Sequence, residues 1–116
     1  MDILVASDNR DVFQEIKKTL ERSISGARVI AWSEAEESQA ARLVILDLEL
    51  AGSEVVLSRI RQSSCAPVIL IASHNGNPER LIDALEAGAD DYLYKPLDKI
   101  ELQERVKASL WEARKC

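Results

Sequence analysis

The sequence has few cysteines and histidines and no long apolar run, which are the features of disulfide-rich, metal-binding and membrane-spanning proteins. Its 116 residues include two cysteines and one histidine. Cys65 and Cys116 have no metal-ligand or redox-motif spacing, so we expect reduced thiols, as is usual in cytosolic proteins. The lone histidine, His74, has no second nitrogen ligand with which to hold a transition metal. No apolar run approaches the ~20 residues that span a bilayer. We therefore expect neither a zinc module nor a membrane span.

The sequence also lacks an excess of positive charge. The 20 acidic residues outnumber the 15 lysines and arginines, which gives a formal net charge of -5. Such a balance argues against direct binding of nucleic acid or of an anionic membrane surface. The start does not resemble a signal peptide, because Met1 and Asp2 lead straight into a strand-like segment. We therefore expect a cytoplasmic location.

What the sequence does contain is a series of short apolar runs without polar alternation. The length predicts a single domain, residues 1–116. Strands that lack alternation are covered on both faces, which is typical of a parallel sheet between helices. The predicted strands are Ile3–Ala6, Ala27–Trp32, Leu43–Leu46, Val68–Ile71 and Tyr92–Tyr94.

Helical patterns separate these runs. Val12, Ile16 and Leu20 recur at helical spacing, and Asn77 before Pro78 is typical of a helix start. Strand and helix alternate throughout, so we predict a three-layer α/β fold. Only the polar stretch 33–42 interrupts this alternation, and it predicts a short or irregular second helix.

Polar residues follow the predicted strands where each one ends. Asp8 follows the first strand, Asp47 the third, Ser73 the fourth and Lys95 the fifth. Ligands of open parallel sheets gather at this edge. Paired carboxylates suit a hard cation such as Mg²⁺, and a lysine beside them suits a phosphate group. The pattern indicates binding or transfer of a phosphoryl group.

Read as whole segments, these motifs resemble the receiver domain of two-component response regulators over nearly the entire chain. The fifth-strand segment, GADDYLYKPL, is the most similar to the family pattern. The final segment is similar to that of members with a winged-helix DNA-binding domain after the receiver. The matching segments are residues 3–9, 43–52, 67–73, 88–97 and 101–107.

The resemblance implies a flavodoxin-like strand order 2-1-3-4-5 with five helices. It also implies that Asp47 accepts phosphate from a histidine kinase, from a phosphotransfer protein or from a small phosphodonor. Asp8 and Asp47, with the backbone carbonyl of Glu49, would hold Mg²⁺. Lys95 would pair with the phosphoryl oxygens, and Tyr92 would turn inward when the domain is switched on.

Several positions depart from the family pattern. Ser7 replaces the first acidic residue, so we expect weak Mg²⁺ binding because carboxylate charge tunes such sites. Ala72 replaces the Ser or Thr that closes onto the phosphoryl group, and the side chain of Ser73 should point the opposite way. Ala51 and Glu54 replace the usual residues of the loop after Asp47. These changes indicate a diverged receiver or a pseudo-receiver.

Three hypotheses follow. The first is a non-enzymatic receiver that is phosphorylated on Asp47 and signals to an effector domain or partner protein. The second is a phosphorylation-independent pseudo-receiver that acts as a protein–protein interaction module. The third, a phosphatase or phosphotransferase, ranks below both because Glu49, the nearest acidic residue, should point away from Asp47. A homodimer in which Asp91 and Arg105 pair across the interface is a further hypothesis.

Overall fold

A computed structural model describes residues 1–34 and 41–112 of the chain. Strands and helices alternate through these residues, with one 3₁₀ turn at Trp32–Glu34. The elements in chain order are β1 (Asp2–Ala6), α1 (Arg10–Ser23), β2 (Arg28–Ala31), β3 (Ala41–Asp47), α2 (Ser53–Ser63), β4 (Val68–Ala72), α3 (Pro78–Glu86), β5 (Asp91–Tyr94) and α4 (Lys99–Trp111).

The five strands form one sheet in the order β2-β1-β3-β4-β5. Every neighbouring pair is parallel. In the register, Val5 lies between Ala31 on one side and Ile45 on the other. The predicted α/β class and the flavodoxin-like order 2-1-3-4-5 are both confirmed.

Both faces of the sheet are buried, which explains the absence of alternation in its strands. Ile3 and Val5 belong to a core that includes residues of α1 and α4. Leu4 and Ala6 belong to a second core that includes residues of α2 and α3. Because successive strand side chains point to opposite faces, β1, β3 and β4 each supply apolar groups to both layers.

Short polar side chains start three of the helices. The side chain of Asn9 accepts backbone N–H groups at the start of α1, and Asn77 and Asp98 do the same for α3 and α4. Such caps satisfy donors that have no partner within the helix. In α2 this place is taken by Gly52, which has a left-handed conformation with φ 77°. The predicted start of α3 is thus confirmed.

The second helix is where the fold departs from the expectation. The resemblance implied five helices, whereas residues 1–34 and 41–112 contain four α-helices. Ala41 and Arg42 were included in the polar stretch 33–42, but they belong to β3. Residues 35–40 of that stretch lie outside the described part of the chain. Within what is described, only the 3₁₀ turn occupies the place between β2 and β3.

Two further expectations can be compared with the structure. Cys65 is disulfide-bonded, so the expectation of two reduced thiols is wrong at this position, and Cys116 lies outside the described residues. None of the helices described here is both long and apolar enough to cross a membrane.

Candidate phosphoacceptor site

The carboxyl edge of the sheet brings the predicted site residues to one place. Asp47 is the last residue of the central strand β3, and Ser7 comes directly after β1. Lys95 comes directly after β5, where its backbone N–H donates to the carbonyl of Ala72 at 2.9 Å. Because these strands are parallel, all four residues lie at the edge where ligands of such sheets bind.

Asp47 lies at the centre of a hydrogen-bonded cluster. Its side chain is 1% exposed. Its Oδ2 atom accepts from the Ser7 hydroxyl at 2.8 Å and from Lys95 Nζ at 3.0 Å. Its Oδ1 atom accepts from the backbone N–H of Glu49 at 3.0 Å. A buried carboxylate is costly unless it is paired and hydrogen-bonded, and here both of its oxygens have donors.

Lys95 forms ion pairs with two carboxylates. Besides Asp47, its Nζ atom lies 3.4 Å from Oε1 of Glu49. The Lys95 side chain is 19% exposed, whereas that of Glu49 is 54% exposed, so solvent screens the second contact more than the first. We call Ser7, Asp47, Glu49 and Lys95 the acceptor cluster. Its one cation, Lys95, is of the kind that hydrogen-bonds phosphoryl oxygens.

Asp8 does not join this cluster. It is exposed, and among residues 1–34 and 41–112 its carboxylate makes no hydrogen bond or ion pair. Nor do those residues contain a group of three or more His, Cys, Asp or Glu side chains suited to a metal. The carboxylates of Asp8 and Asp47 and the Ser7 hydroxyl are hard oxygen donors of the kind that Mg²⁺ prefers. They fit the ion chemically, but with fewer carboxylates than a dedicated site.

The position expected to hold a hydroxyl residue is apolar. Ala72 is the last residue of β4 and is 5% exposed. The next hydroxyl, on Ser73, accepts from the backbone N–H of Asn75 at 3.2 Å and so belongs to the loop before α3. In the described part of the chain, no side-chain hydrogen bond connects β4 to Asp47.

The tyrosines of β5 lie on the outer surface. Tyr92 is 39% exposed and Tyr94 is 37% exposed. Their rings meet edge to face at 5.5 Å, and the His74 ring stacks on Tyr94 at 4.1 Å. We call Ala72, His74, Tyr92 and Tyr94 the readout strip. The inward turn of Tyr92 that the resemblance implies stays a prediction.

The sequence left three of these contacts unpredicted. Ser7 was regarded as a lost metal ligand, yet its hydroxyl donates directly to Asp47. Glu49 was expected to point away from Asp47, which is wrong, because its carboxylate reaches the same lysine. His74 was considered only as a lone potential metal ligand; it is exposed, and its ring stacks on that of Tyr94. The contact of Ser7 could have been predicted, because Ser7 and Asp47 both lie at the ends of neighbouring strands. The contacts of Glu49 and His74 depend on loop geometry and could not.

Comparison with known proteins agrees with the fold. A family model described as the response regulator receiver domain matches residues 3–107. The chain therefore belongs to the family of response regulator receiver domains, which are signalling modules of two-component systems.

Curated relatives carry names of transcriptional regulators. The chain is 31% identical over 115 residues to the transcriptional regulatory protein CpxR of Escherichia coli, covering 93% of this chain and 48% of the relative. It is 38% identical over 76 residues to the transcriptional activator protein IrlR of Burkholderia pseudomallei, covering 64% of this chain and 33% of that relative. The chain thus spans half or less of the length of these relatives.

Solved receiver structures have the same architecture. The receiver domain of NtrX from Brucella abortus superposes with a TM-score of 0.84 at 29% identity, covering 97% of this chain and 100% of that one. A response regulator structure from Chloroflexus aurantiacus gives 0.78 at 26% identity, covering 96% and 98%. These likenesses extend over the whole sheet and its helices.

Proposed function

We propose that residues 1–116 form a single receiver domain that accepts a phosphoryl group on Asp47 and relays this signal to an effector. The observation that carries the proposal is the acceptor cluster, in which a buried carboxylate lies 3.0 Å from Lys95 Nζ. The donor would be a phosphohistidine of a histidine kinase or phosphotransfer protein, or a small phosphodonor. Such a role is that of a signalling domain rather than an enzyme, in a cytoplasmic two-component pathway.

The transfer step is a displacement at phosphorus. An Asp47 carboxylate oxygen forms a bond to phosphorus while the phosphorus–nitrogen bond of the donor phosphohistidine breaks. The electron pair of that bond stays on the imidazole, and Asp47 becomes an acyl phosphate. Lys95 neutralises the carboxylate before the transfer and pairs with the phosphoryl oxygens after it. The Ser7 hydroxyl and the backbone N–H of Glu49 hold the carboxylate in one orientation.

Receiver domains typically bind Mg²⁺ at acidic residues, and we propose that this one does so weakly. Asp8, Asp47 and the backbone carbonyl of Glu49 would hold the ion. When bound, Mg²⁺ would neutralise charge on the transferring group. Two features support a low affinity, namely the serine at position 7 and the contact that already ties Asp47 Oδ2 to Lys95.

The switch is the part that we propose to be impaired. A hydroxyl at position 72 would hydrogen-bond to the phosphoryl group, a contact worth about 1.5–3 kcal/mol for a charged acceptor. Coupling free energies between sites are typically about 1–3 kcal/mol. Ala72 therefore removes most of what would draw Tyr92 inward, and the phosphorylated domain signals poorly. This feature specifically favours the alternative function, a phosphorylation-independent interaction module.

The partners are proposed from the same family membership. A kinase or phosphotransfer protein would supply phosphate, and an effector domain or separate protein would receive the signal. Transcription regulation is the output suggested by the names of the relatives. A homodimer also stays a proposal, although Arg105 Nη1 lies 3.1 Å from both carboxylate oxygens of Asp91 within one chain. We propose no direct contact with nucleic acid or membrane.

Intact mass after incubation with a small acyl phosphodonor and Mg²⁺ tests the proposal. We expect one phosphate adduct on the parent chain and none on Asp47→Asn. Glu104→Gln, a charge change on the outer side of α4, serves as the control and should be modified like the parent. Absence of an adduct on the parent at high Mg²⁺ would reject phosphorylation and favour the interaction module.

A further inference from the structure

A side-chain hydrogen bond joins α3 to the loop that follows Asp47. Arg80, in the first turn of α3, donates from Nη2 to the hydroxyl of Ser53 at 3.1 Å. Ser53 is the first residue of α2 and is 2% exposed. Its hydroxyl in turn donates to the carbonyl of Leu48 in a long contact of 3.5 Å. The contact therefore leads from an exposed helical side chain to the residue directly after the acceptor.

The start of α2 lacks the anchor that other helices of this fold have. Whereas α1, α3 and α4 each begin with a side-chain cap, Gly52 before α2 makes no side-chain cap hydrogen bond. A buried hydroxyl is costly unless it is hydrogen-bonded, and Arg80 supplies the Ser53 hydroxyl with a charged donor. Arg80 thus holds the end of the loop that a cap would otherwise hold.

Arg80 makes this contact although carboxylates lie close to it. Glu54 and Asp83 line the same cleft between α2 and α3 as Arg80 does. Within residues 1–34 and 41–112, however, Arg80 forms no ion pair with either of them. The guanidinium is directed at the buried hydroxyl of Ser53 instead. The link between α3 and the loop is therefore a hydrogen bond to a buried group and not a pairing of surface charges.

The loop that Arg80 anchors contains the groups that orient the acceptor. The backbone N–H of Glu49 donates to Asp47 Oδ1 at 3.0 Å, and the carbonyl of Glu49 is the proposed Mg²⁺ ligand. Backbone hydrogen bonds turn the chain between Asp47 and Ser53, from the N–H of Leu50 to the carbonyl of Asp47 at 3.0 Å and from the N–H of Ser53 to the carbonyl of Leu50 at 3.1 Å. A displacement of Ser53 is therefore passed to Glu49 through a short, turned segment.

We propose that Arg80 is a positioning residue for phosphorylation, because it anchors Ser53 and so holds the Glu49 backbone in place beside Asp47. The proposal rests on the proposed function of Asp47 as the acceptor. Arg80 acts through Ser53 and is not itself a catalytic residue. Through this contact, the position of α3 and the reactivity of the acceptor depend on each other.

The initial rate of adduct formation from a small acyl phosphodonor with Mg²⁺ tests the proposal. Arg80→Met should slow it about three- to tenfold, which corresponds to the net loss of one hydrogen bond. Ser53→Ala should have the same effect, and the double variant should be no slower, since both changes remove one contact. The contact uses a single nitrogen of Arg80, so Arg80→Lys should stay within about twofold of the parent.

Matched variants separate positioning from charge and from stability. Arg59→Met removes the same charge from an exposed position on α2, and Leu110→Ala opens a cavity where α4 packs against the core. At a temperature where every variant is folded, both controls should stay within about twofold of the parent rate. The proposal is overturned if either control slows the transfer as much as Arg80→Met, or if Arg80→Lys is as slow as Arg80→Met.

A measurement without phosphate distinguishes failure of this proposal from failure of the proposed function. In the unphosphorylated protein, the amide signal of Glu49 should shift in Arg80→Met and in Ser53→Ala and stay in place in Arg59→Met. A Glu49 signal that Arg80→Met leaves in place would overturn the proposal. A parent that takes up no phosphate, together with the expected Glu49 shift, would reject Asp47 as the acceptor and still support the anchoring of the loop by Arg80.

Discussion

The acceptor cluster and the readout strip lie side by side at one edge of the sheet, yet they differ sharply in connectivity. In the cluster, both carboxylate oxygens of Asp47 accept hydrogen bonds from neighbouring strand ends and loops. In the strip, the described contacts are between rings, and Ala72 offers no polar atom on its side chain. Under the proposed roles, the contacts that would hold the acceptor are present, whereas position 72 offers no polar contact to it.

In the proposed function, accepting a phosphoryl group and responding to it therefore depend on separate residues. Lys95 and Ser7 act on the carboxylate directly, through contacts that exist before any phosphate arrives. In the proposed switch, Tyr92 turns inward when the loop after β4 is drawn towards the phosphoryl group, and a hydroxyl at position 72 would make that contact. A receiver can thus keep its chemistry while losing its switch.

The largest effect, on the rate of phosphorylation, is expected from removing Lys95 from the acceptor cluster. Lys95→Gln removes the cation that lies 3.0 Å from Asp47. Loss of one donor to a developing charge typically slows a reaction about 100-fold, so we expect that decrease in the initial rate of adduct formation from a small phosphodonor. The Tyr92 ring signals of the unphosphorylated protein should stay unchanged.

Lys107→Gln gives the matched control for this experiment, since it removes the same charge from α4 outside the cluster. Its rate should stay close to that of the parent. A Lys95→Gln rate within threefold of the parent would mean that the lysine contact has no part in the transfer.

A smaller effect is expected from restoring the acidic residue at position 7. Ser7→Asp replaces a hydroxyl that donates to Asp47 by a second carboxylate beside it. Because carboxylate charge tunes such sites, Mg²⁺ affinity should rise about tenfold in a calorimetric titration. Ser7→Ala removes the hydrogen bond without adding charge and should not tighten binding. Equal affinities for Ser7→Asp and the parent would show that Ser7 is not what limits the ion.

The smallest effect is expected far from both regions, where α1 meets β2. The backbone N–H of Val29 and then Lys17 hold the pKa of Glu21 below its ordinary value of 4.5. The carboxylate therefore stabilises the folded chain above that value, and this contribution is lost as pH falls through the lower, folded pKa. Since Glu21 is exposed, the contribution should be below about 1 kcal/mol.

Unfolding free energies of the parent and Glu21→Gln, measured at pH 7 and near pH 3, check this expectation. The variant should be less stable at pH 7, and the difference should shrink at the lower pH. Glu104→Gln on α4 is the control and should show no such convergence. A difference between parent and Glu21→Gln that is the same at both pH values would contradict the assignment.

Much of the fold was predictable, because a strand of a parallel sheet that is buried on both faces has a continuous apolar sequence. Val68–Ile71 is such a run, and it proved to be the interior strand β4. Asn77 and Pro78 fixed the start of α3 equally well, since capping is a local property of the sequence. The start of β3 at Ala41 was missed, because two residues at a strand edge carry too little pattern to separate them from a polar helix.

The site was predictable as a set of residues but not as a set of contacts. Strand-end positions are enough to bring Asp47 and Lys95 to the same edge. The Glu49 side chain lies on a loop, where alternation no longer dictates its direction, so its approach to Lys95 was not foreseen. The same holds for His74, whose stacking on Tyr94 depends on the path of the loop before α3.

The most direct test of the account is the response of the Tyr92 ring to phosphorylation in the parent and in Ala72→Thr. Each protein would be phosphorylated, the adduct quantified by mass, and the ring signals compared with those of the unmodified form. We predict that Tyr92 hardly moves in the parent and shifts in Ala72→Thr, where the restored hydroxyl can bond the phosphoryl group. A parent in which Tyr92 shifts as far as in Ala72→Thr would contradict the separation of acceptor and readout.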